Sequence, residues 1–220
     1  DEVMRTLDDL VRDGKVRHVG FSDVPAWYAA RAQTLAELRG WEKVAALQLE
    51  YSLVERHIER EHVPAALELG MGICPWSPLG SGLLSGKYRR GQGEGRLQAI
   101  KGSGNPGFEK LFTDRNYDIV DVLVDVASRL GRSPAQVALN WVTRRPGVVS
   151  TIVGATKLPQ LDDNLAALEF EIPAELSARL EEASRPELTF PYLFFLPAMR
   201  SRINGGTLVR REPSWYRPRE

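Results

Sequence analysis

The feature that most limits how this chain can fold is a regular alternation of short β-branched runs with longer stretches of helical periodicity. Met4, Leu7, Leu10 and Val11 recur at helical spacing. An Asp13-Gly14 stop then leads into Val16-Arg17-His18-Val19-Gly20-Phe21-Ser22, which reads as a strand. Residues Pro25 to Leu38 return to helical character, with Trp27, Ala30, Leu35 and Leu38 as apolar positions. Val44 to Gln48 is a second strand and His62 to Leu69 the next helix. Gly70-Met71-Gly72 turns the chain into Ile73-Cys74-Pro75-Trp76, a third strand. A Gly-rich polar stretch from Ser77 to about Pro106 is too long for a routine connection, which makes it a candidate functional or disordered loop. Further on, Ile119, Val122, Leu123, Val126, Ala127 and Leu130 form one helical stripe. Ser133-Pro134 reads as an N-cap followed by proline in the first helical position, opening a helix over 135–144. Val148 to Val153 predicts a fourth strand, and Leu158 to Leu168 and Ala174 to Ala183 two more helices.

Alternating strands and helices predict an α/β fold with parallel strands, in an open doubly wound sheet or in a barrel. A parallel barrel closes with about eight strands, so four strands amount to half of one. The chain opens at Asp1 inside a helix without a capping lead-in, a start that predicts missing upstream residues. Equal numbers of basic and acidic residues, 29 each, argue against a nucleic-acid partner. No apolar run approaches the roughly eighteen residues of a membrane span, so no membrane partner is expected. A single cysteine, Cys74, cannot close an internal disulfide, and the first residues do not read as a basic-then-apolar signal peptide. The expected location is cytoplasmic.

Polar groups cluster where both parallel architectures place ligands, at the C-terminal ends of the strands. They are Ser22-Asp23, Gln48 with Tyr51, Trp76-Ser77, and Gly154-Ala155-Thr156-Lys157. The segment Gly80 to Tyr88 fits neither phosphate-loop pattern: a Walker loop needs glycine at 81 and Ser or Thr at 88, where Ser81 and Tyr88 stand, and the dinucleotide fingerprint needs glycine at 85, where Ser85 stands. Its backbone amides either cradle a pyrophosphate or merely make turns. Lys157 opens a helix, where amides and a cation suit an anion; the competing reading is a solvated lysine. His18, within a predicted strand, His57 and His62 have no metal-ligand spacing. Cys74 reads as a small core residue rather than a nucleophile, and Trp76 as either core or an aromatic platform.

Taken together, Gly14-Lys15-Val16-Arg17-His18-Val19-Gly20-Phe21-Ser22-Asp23, Leu47 to Ser52, Pro75 to Tyr88, and Val153-Gly154-Ala155-Thr156-Lys157 with Gln160, Asp163 and Asn164 resemble the aldo-keto reductase family, in the right order from Asp1 to about Pro191. The resemblance implies a (β/α)8 barrel of the TIM type that uses NADP(H), or NAD(H), to reduce aldehydes and ketones. It also implies that residues 1–191 form the C-terminal half-barrel, strands five to eight, with 192–220 a tail. The family's catalytic Asp, Tyr, Lys and His lie on the first four strands, so no catalytic residue is expected here, and the chain alone is expected to be inactive. Ser22, Asp23 and Gln48 would hold the nicotinamide carboxamide, and Trp76 would stack on its ring. Asp23 stands where Asn is the commoner family residue; as a carboxylate it can only accept, so it would take the carboxamide NH2 and leave the carbonyl to Ser22. Ser77, Leu79, Gly80 and Ser81 match the pyrophosphate loop. Gly154, Ala155, Thr156, Lys157, Gln160 and Asn164 match the segment that holds the adenosine and its 2′-phosphate. The implied partners are the dinucleotide, a small carbonyl substrate in the complete protein, and a second copy in a homo-oligomer. A non-catalytic half-barrel serving as a binding or interaction module is the alternative.

Overall fold

Of the 220 residues, the computed structural model describes 1–88, 90, 104 and 106–206. Helix α1, Glu2–Arg12, leads into strand β1, Val19–Ser22; helix α2, Ala26–Arg39, joins it to β2, Val44–Glu50; and α3, His62–Leu69, joins β2 to β3, Gly72–Trp76. The strands pair in parallel, and their spatial order is their order in the chain. Parallel crossovers are right-handed almost without exception, so this sequential order puts α2 and α3 on one face of the sheet. Val19, Leu47, Leu49 and Ile73 are buried on that face. The opposite face carries Gly20, Ser22, Ala46, Gln48, Gly72, Cys74 and Trp76, which are half-buried or exposed. Cys74 is therefore not the core residue its apolar surroundings suggest.

The open face is lined with small residues for a steric reason. Between Val19 and Gly20 the β1–β2 register slips by one, and a Cβ on Gly20 would come within 2.9 Å of the Ala46 carbonyl oxygen. A Cβ on Gly72 would meet the Val149 side chain at 2.6 Å. At Gly20 the neighbour is backbone and leaves room only for glycine, whereas at Gly72 a larger residue would require the exposed Val149 side chain to move.

The expected fourth strand does not form as a strand among the described residues. Residues 147–152 do run parallel to β3: Ile73 N–H donates to the Gly147 carbonyl (2.8 Å), Val149 N–H to Ile73 (3.0 Å), and Ile152 N–H to Pro75 (2.9 Å). A regular parallel ladder would continue with an N–H at residue 75 donating to Val149 and with Thr151, not Ile152, donating to residue 75. Proline has no N–H to give. The register slips by one residue, and only the single bridge between Ile73 and Val148 survives.

The second half of the chain is helical. It comprises α4, Pro106–Glu109; α5, Asp114–Leu130; α6, Pro134–Thr143; α7, Leu158–Leu165; α8, Ala174–Ser184; and α9, Pro197–Ile203. The α5 stripe packs as expected, with Ile119, Leu123, Val126 and Ala127 buried. At the head of α6 the Ser133 hydroxyl accepts from Gln136 N–H and the Gln136 side chain accepts from Ser133 N–H, a reciprocal capping box ahead of Pro134. Helix α2 differs from expectation. Trp27 and Leu38 are 63% and 78% exposed, while Ala26, Ala29, Ala32 and Ala36 are buried, because small side chains let the helix lie close to the sheet. His18 precedes β1 rather than lying in it, and its ring is exposed beside Glu42. Most of the Gly-rich stretch from 89 to 105, and the tail from 207, lie outside the described residues. No described helix is long and apolar enough to cross a membrane.

Candidate functional site

Parallel register alone brings the first group of site residues together. Ser22 pairs with Gln48, and Trp76 ends the next strand two residues beyond the partner of Gln48. The Ser22 hydroxyl lies 3.2 Å from Gln48 Oε1 and 3.3 Å from Asp23 Oδ2, and the Trp76 indole N–H donates to Asp23 Oδ1 at 2.9 Å. Asp23 N–H donates to the Gln48 carbonyl, and its backbone sits in the left-handed region at φ 51°, where Asp and Asn are the best tolerated side chains after glycine. Trp76 is thus neither buried core nor a loose platform: its indole is half-buried and held by its edge. A cavity of about 360 Å³ opens beside Asp23, with Leu49 and Ile58 as apolar lining and Glu50, Glu55 and His62 as polar lining. His62 Nε2–H donates to the Val24 carbonyl at 2.9 Å, which assigns the ring a bracing role.

The turn after β3 is closed on itself. Gly80 N–H donates to the Ser77 carbonyl, Ser81 N–H to Ser77 Oγ (3.0 Å), and Gly82 N–H to Leu79. Ser77, Gly80, Ser81 and Gly82 all have positive φ. These three amides do not form the open anion cradle that the sequence left as one alternative. The Ser77 and Ser81 hydroxyls belong to the same turn, the former as the acceptor of Ser81 N–H.

At the far end, Gly154 to Lys157 are exposed and α7 starts only at Leu158. Thr156 N–H and its hydroxyl both donate to Gln160 Oε1, each at 3.1 Å, so two of the donors expected to be free are engaged, while Gln160 keeps its own NH2. Lys157 is the N-cap residue and its side chain makes no cap bond. Asn164 is half-buried on α7. Its neighbour Asp163 accepts from Ser133 (3.0 Å) and Gln136 (2.9 Å), tying α7 to the head of α6. Among the described residues no hydrogen bond joins this group to Ser22, Asp23, Gln48 and Trp76.

Tyr51 is not a ligand-facing strand end. It is 1% exposed and belongs to a buried ionic network that sequence reasoning missed. Its hydroxyl donates to Glu59 (2.6 Å) and accepts from Arg145 Nε (3.1 Å). Arg56, also buried, forks onto Glu59 with two bonds of 2.9 Å and reaches Glu181 and the Ser184 hydroxyl on α8. Arg145 bridges Glu59 and Glu181, and both guanidinium groups lie over the Trp141 ring. Burial and the negative Glu59 push the Tyr51 phenol far above its usual range, against the opposing pull of Arg145. Nearby, burial raises the Glu55 carboxyl, but hydrogen bonds from His57 and Lys110 outweigh it and hold it below its usual value. The network residues are separated by up to 128 positions in sequence, and no local motif announces them.

The model of the aldo/keto reductase family matches residues 1–185. Among curated relatives, the chain is 33% identical over 182 residues to the oxidoreductase YrpG of Bacillus subtilis, covering 83% of this chain and 53% of the relative. It is 30% identical over 195 residues to versiconal hemiacetal acetate reductase of Aspergillus parasiticus, covering 87% and 55%. With probable aldo-keto reductase 1 of Glycine max it shares 35% identity over 172 residues, covering 78% and 47%. The chain spans about half the length of these relatives. A match over most of the chain, joined to a parallel sheet with polar side chains gathered at its C-terminal edge, leads to one conclusion: the chain belongs to the aldo/keto reductase family.

Proposed function

We propose that this chain is the dinucleotide-binding half, strands five to eight, of an NADP(H)-dependent oxidoreductase that reduces aldehydes or ketones to alcohols. The observation that carries the reading is the hydrogen-bonded group Ser22, Asp23, Gln48 and Trp76 at the C-terminal ends of three parallel strands in sequential order. Sequential order with helices on one face suits a barrel wall, because a doubly wound sheet reverses its order and covers both faces. In this reading residues 1–191 are the wall and 192–220 the tail, which begins with the turn Tyr192–Phe195 and α9.

The donor set fits a nicotinamide. A hydroxyl, a carboxylate and a primary amide offer both donors and acceptors to a carboxamide, and a half-exposed indole offers a stacking face. The bound dinucleotide would supply the hydride. Trp76 would orient its ring, Ser22, Asp23 and Gln48 its amide. Ser77, Leu79, Gly80 and Ser81 would line its pyrophosphate, with hydroxyls rather than the closed-in amides as donors. Gly154, Ala155, Thr156, Lys157, Gln160 and Asn164 would receive the adenosine end, with Lys157 as the charge for a 2′-phosphate. The proton donor and much of the substrate pocket would come from the other half of the barrel. Without that acid the chain itself is expected to reduce no aldehyde, since general acid catalysis typically contributes 10²- to 10⁴-fold.

Calorimetric titration of the chain with NADPH and NADH tests the reading. We expect saturable binding of both, with NADPH tighter by roughly 5- to 30-fold, or about 1 to 2 kcal/mol. Lys157→Glu should weaken NADPH far more than NADH, because a carboxylate repels a phosphate but not a ribose hydroxyl. Absence of saturable binding of either dinucleotide overturns the reading; equal losses for both return Lys157 to a solvated helix-start lysine.

A further inference from the structure

A hydroxyl has one proton, and the Ser22 hydroxyl stands between two acceptors, Asp23 Oδ2 at 3.3 Å and Gln48 Oε1 at 3.2 Å. It can donate to only one of them. The carboxylate is charged, and hydrogen bonds to a charged acceptor are roughly twice as strong as neutral ones, so Asp23 takes the proton. That would leave two oxygens facing each other with no hydrogen between them. A primary amide escapes this by turning over, since its oxygen and nitrogen have nearly the same shape, and its N–H then donates to Ser22 Oγ. On the other side the Trp76 indole N–H already donates to Asp23 Oδ1 at 2.9 Å.

We infer that Asp23 sets the hydrogen-bond direction of the whole group: Gln48 donates to Ser22, Ser22 to Asp23, and Trp76 to Asp23. Two consequences follow for specificity. The Gln48 carbonyl oxygen is turned to the exposed side of the sheet, and with the remaining lone pairs of Asp23 it makes this edge chiefly a surface of acceptors, the second Gln48 amide hydrogen being the one donor these three side chains keep for a ligand. A ligand group is therefore selected here by the protons it can donate. At the same time both donors committed to Asp23 come from residues of the site, so the carboxylate also holds the indole ring in one orientation.

An asparagine at position 23 would reverse the direction. Its side-chain NH2 would donate to Ser22 Oγ, Ser22 would donate to Gln48 Oε1, and the Gln48 NH2 would face outward. The edge would then offer a donor where the native residue offers an acceptor. Because Asn is isosteric with Asp and tolerates the left-handed backbone at least as well, Asp23→Asn changes the polarity of the group without disturbing its frame.

The identity of the ligand rests on the proposed dinucleotide reading; the direction of the hydrogen bonds does not. Two measurements on the full chain separate them. In the ligand-free chain, nitrogen-15 spectra of side-chain amides and indoles should show one Gln48 amide proton protected from exchange, and Asp23→Asn should release it and move the Trp76 indole N–H resonance. With ligand, NADP+ is compared with its 3-acetylpyridine analogue, in which a methyl group replaces the carboxamide NH2. The native chain should bind the analogue more weakly by roughly 10-fold or more, the loss expected for hydrogen bonds to a charged acceptor, and Asp23→Asn should reduce that gap to less than about 3-fold. Equal gaps in the two proteins, or a Gln48 amide and Trp76 indole indifferent to Asp23→Asn, overturn the inference. If neither dinucleotide binds, the cofactor reading falls and the ligand-free spectra alone decide the direction.

Discussion

At the scale of single residues, the chain separates groups that hold the fold from groups that face outward, and the two look alike in sequence. Tyr51 and Gln48 lie three positions apart near the end of β2, yet Gln48 is exposed on the open face while Tyr51 is sealed among Glu59, Arg145 and Trp141. The elevated Tyr51 phenol has a definite consequence for stability. Below about pH 10, where the phenol of an unfolded chain titrates, both states keep the proton and the contribution is complete. Above it the unfolded state loses the proton first, so stability should fall as pH rises, by up to about 1.4 kcal/mol per pH unit from this group. Urea denaturation of the native chain and Tyr51→Phe between pH 8 and 11 checks this. The variant should be weaker near neutral pH by about 1 to 3 kcal/mol, since Glu59 and Arg145 each lose a buried partner, and the gap should narrow in alkali. A constant gap across the range would mean that the phenol titrates alike in both states.

At the scale of elements, local chemistry was legible wherever a short signal suffices. The Ser133-Pro134 start of α6 and the bounds of α3 agree with expectation, because caps and helix stops act within one turn. The fourth strand was overestimated because a β-branched run reports propensity, while a strand also needs a donor on its neighbour. Pro75 withholds that donor. Replacing it tests the account: in Pro75→Ala, hydrogen exchange should show the new amide at 75 and the Thr151 amide protected, with Ile152 exchanging faster than in the native chain. An Ile152 amide that stays protected, beside a fast-exchanging amide at 75, would show that proline does not cause the slip. The buried face of α2 was missed for the opposite reason, since its alanines carry little hydrophobic contrast and Trp27 and Leu38 dominate any reading of periodicity.

At the scale of the whole molecule, the sheet is covered on one face and open on the other. Among the described residues β1 pairs only with β2, so its outer edge presents unpaired backbone groups. Gly20, Ala46, Gly72 and Cys74 are half-buried or exposed on the open face, and Val149, Ile152 and Val153 are exposed beside it. Unpaired edges and uncovered apolar surface favour association. Sedimentation of the purified chain should therefore show dimers or larger species that dissociate on dilution. A well-folded, strictly monomeric species would show that the open face is tolerated in water.

What the sequence by itself determined was the alternation of the first three strands with helices, the capping chemistry, and the places of Ser22, Gln48 and Trp76 at or near the ends of those strands, since all three depend on neighbours within a few positions; the fourth strand and its end were not among them. Family likeness, too, was visible in the runs around Ser22, Gln48, Trp76 and Lys157. Only the tertiary structure decided that Asp23 grips Trp76, that the amides at 80–82 turn inward, that Gln160 engages Thr156, and that Arg56, Glu59, Arg145 and Glu181 meet in the interior. The physical reason is range: a side-chain hydrogen bond or buried ion pair acts over about 3 Å in space, and which residues come that close is set by register and packing rather than by spacing along the chain.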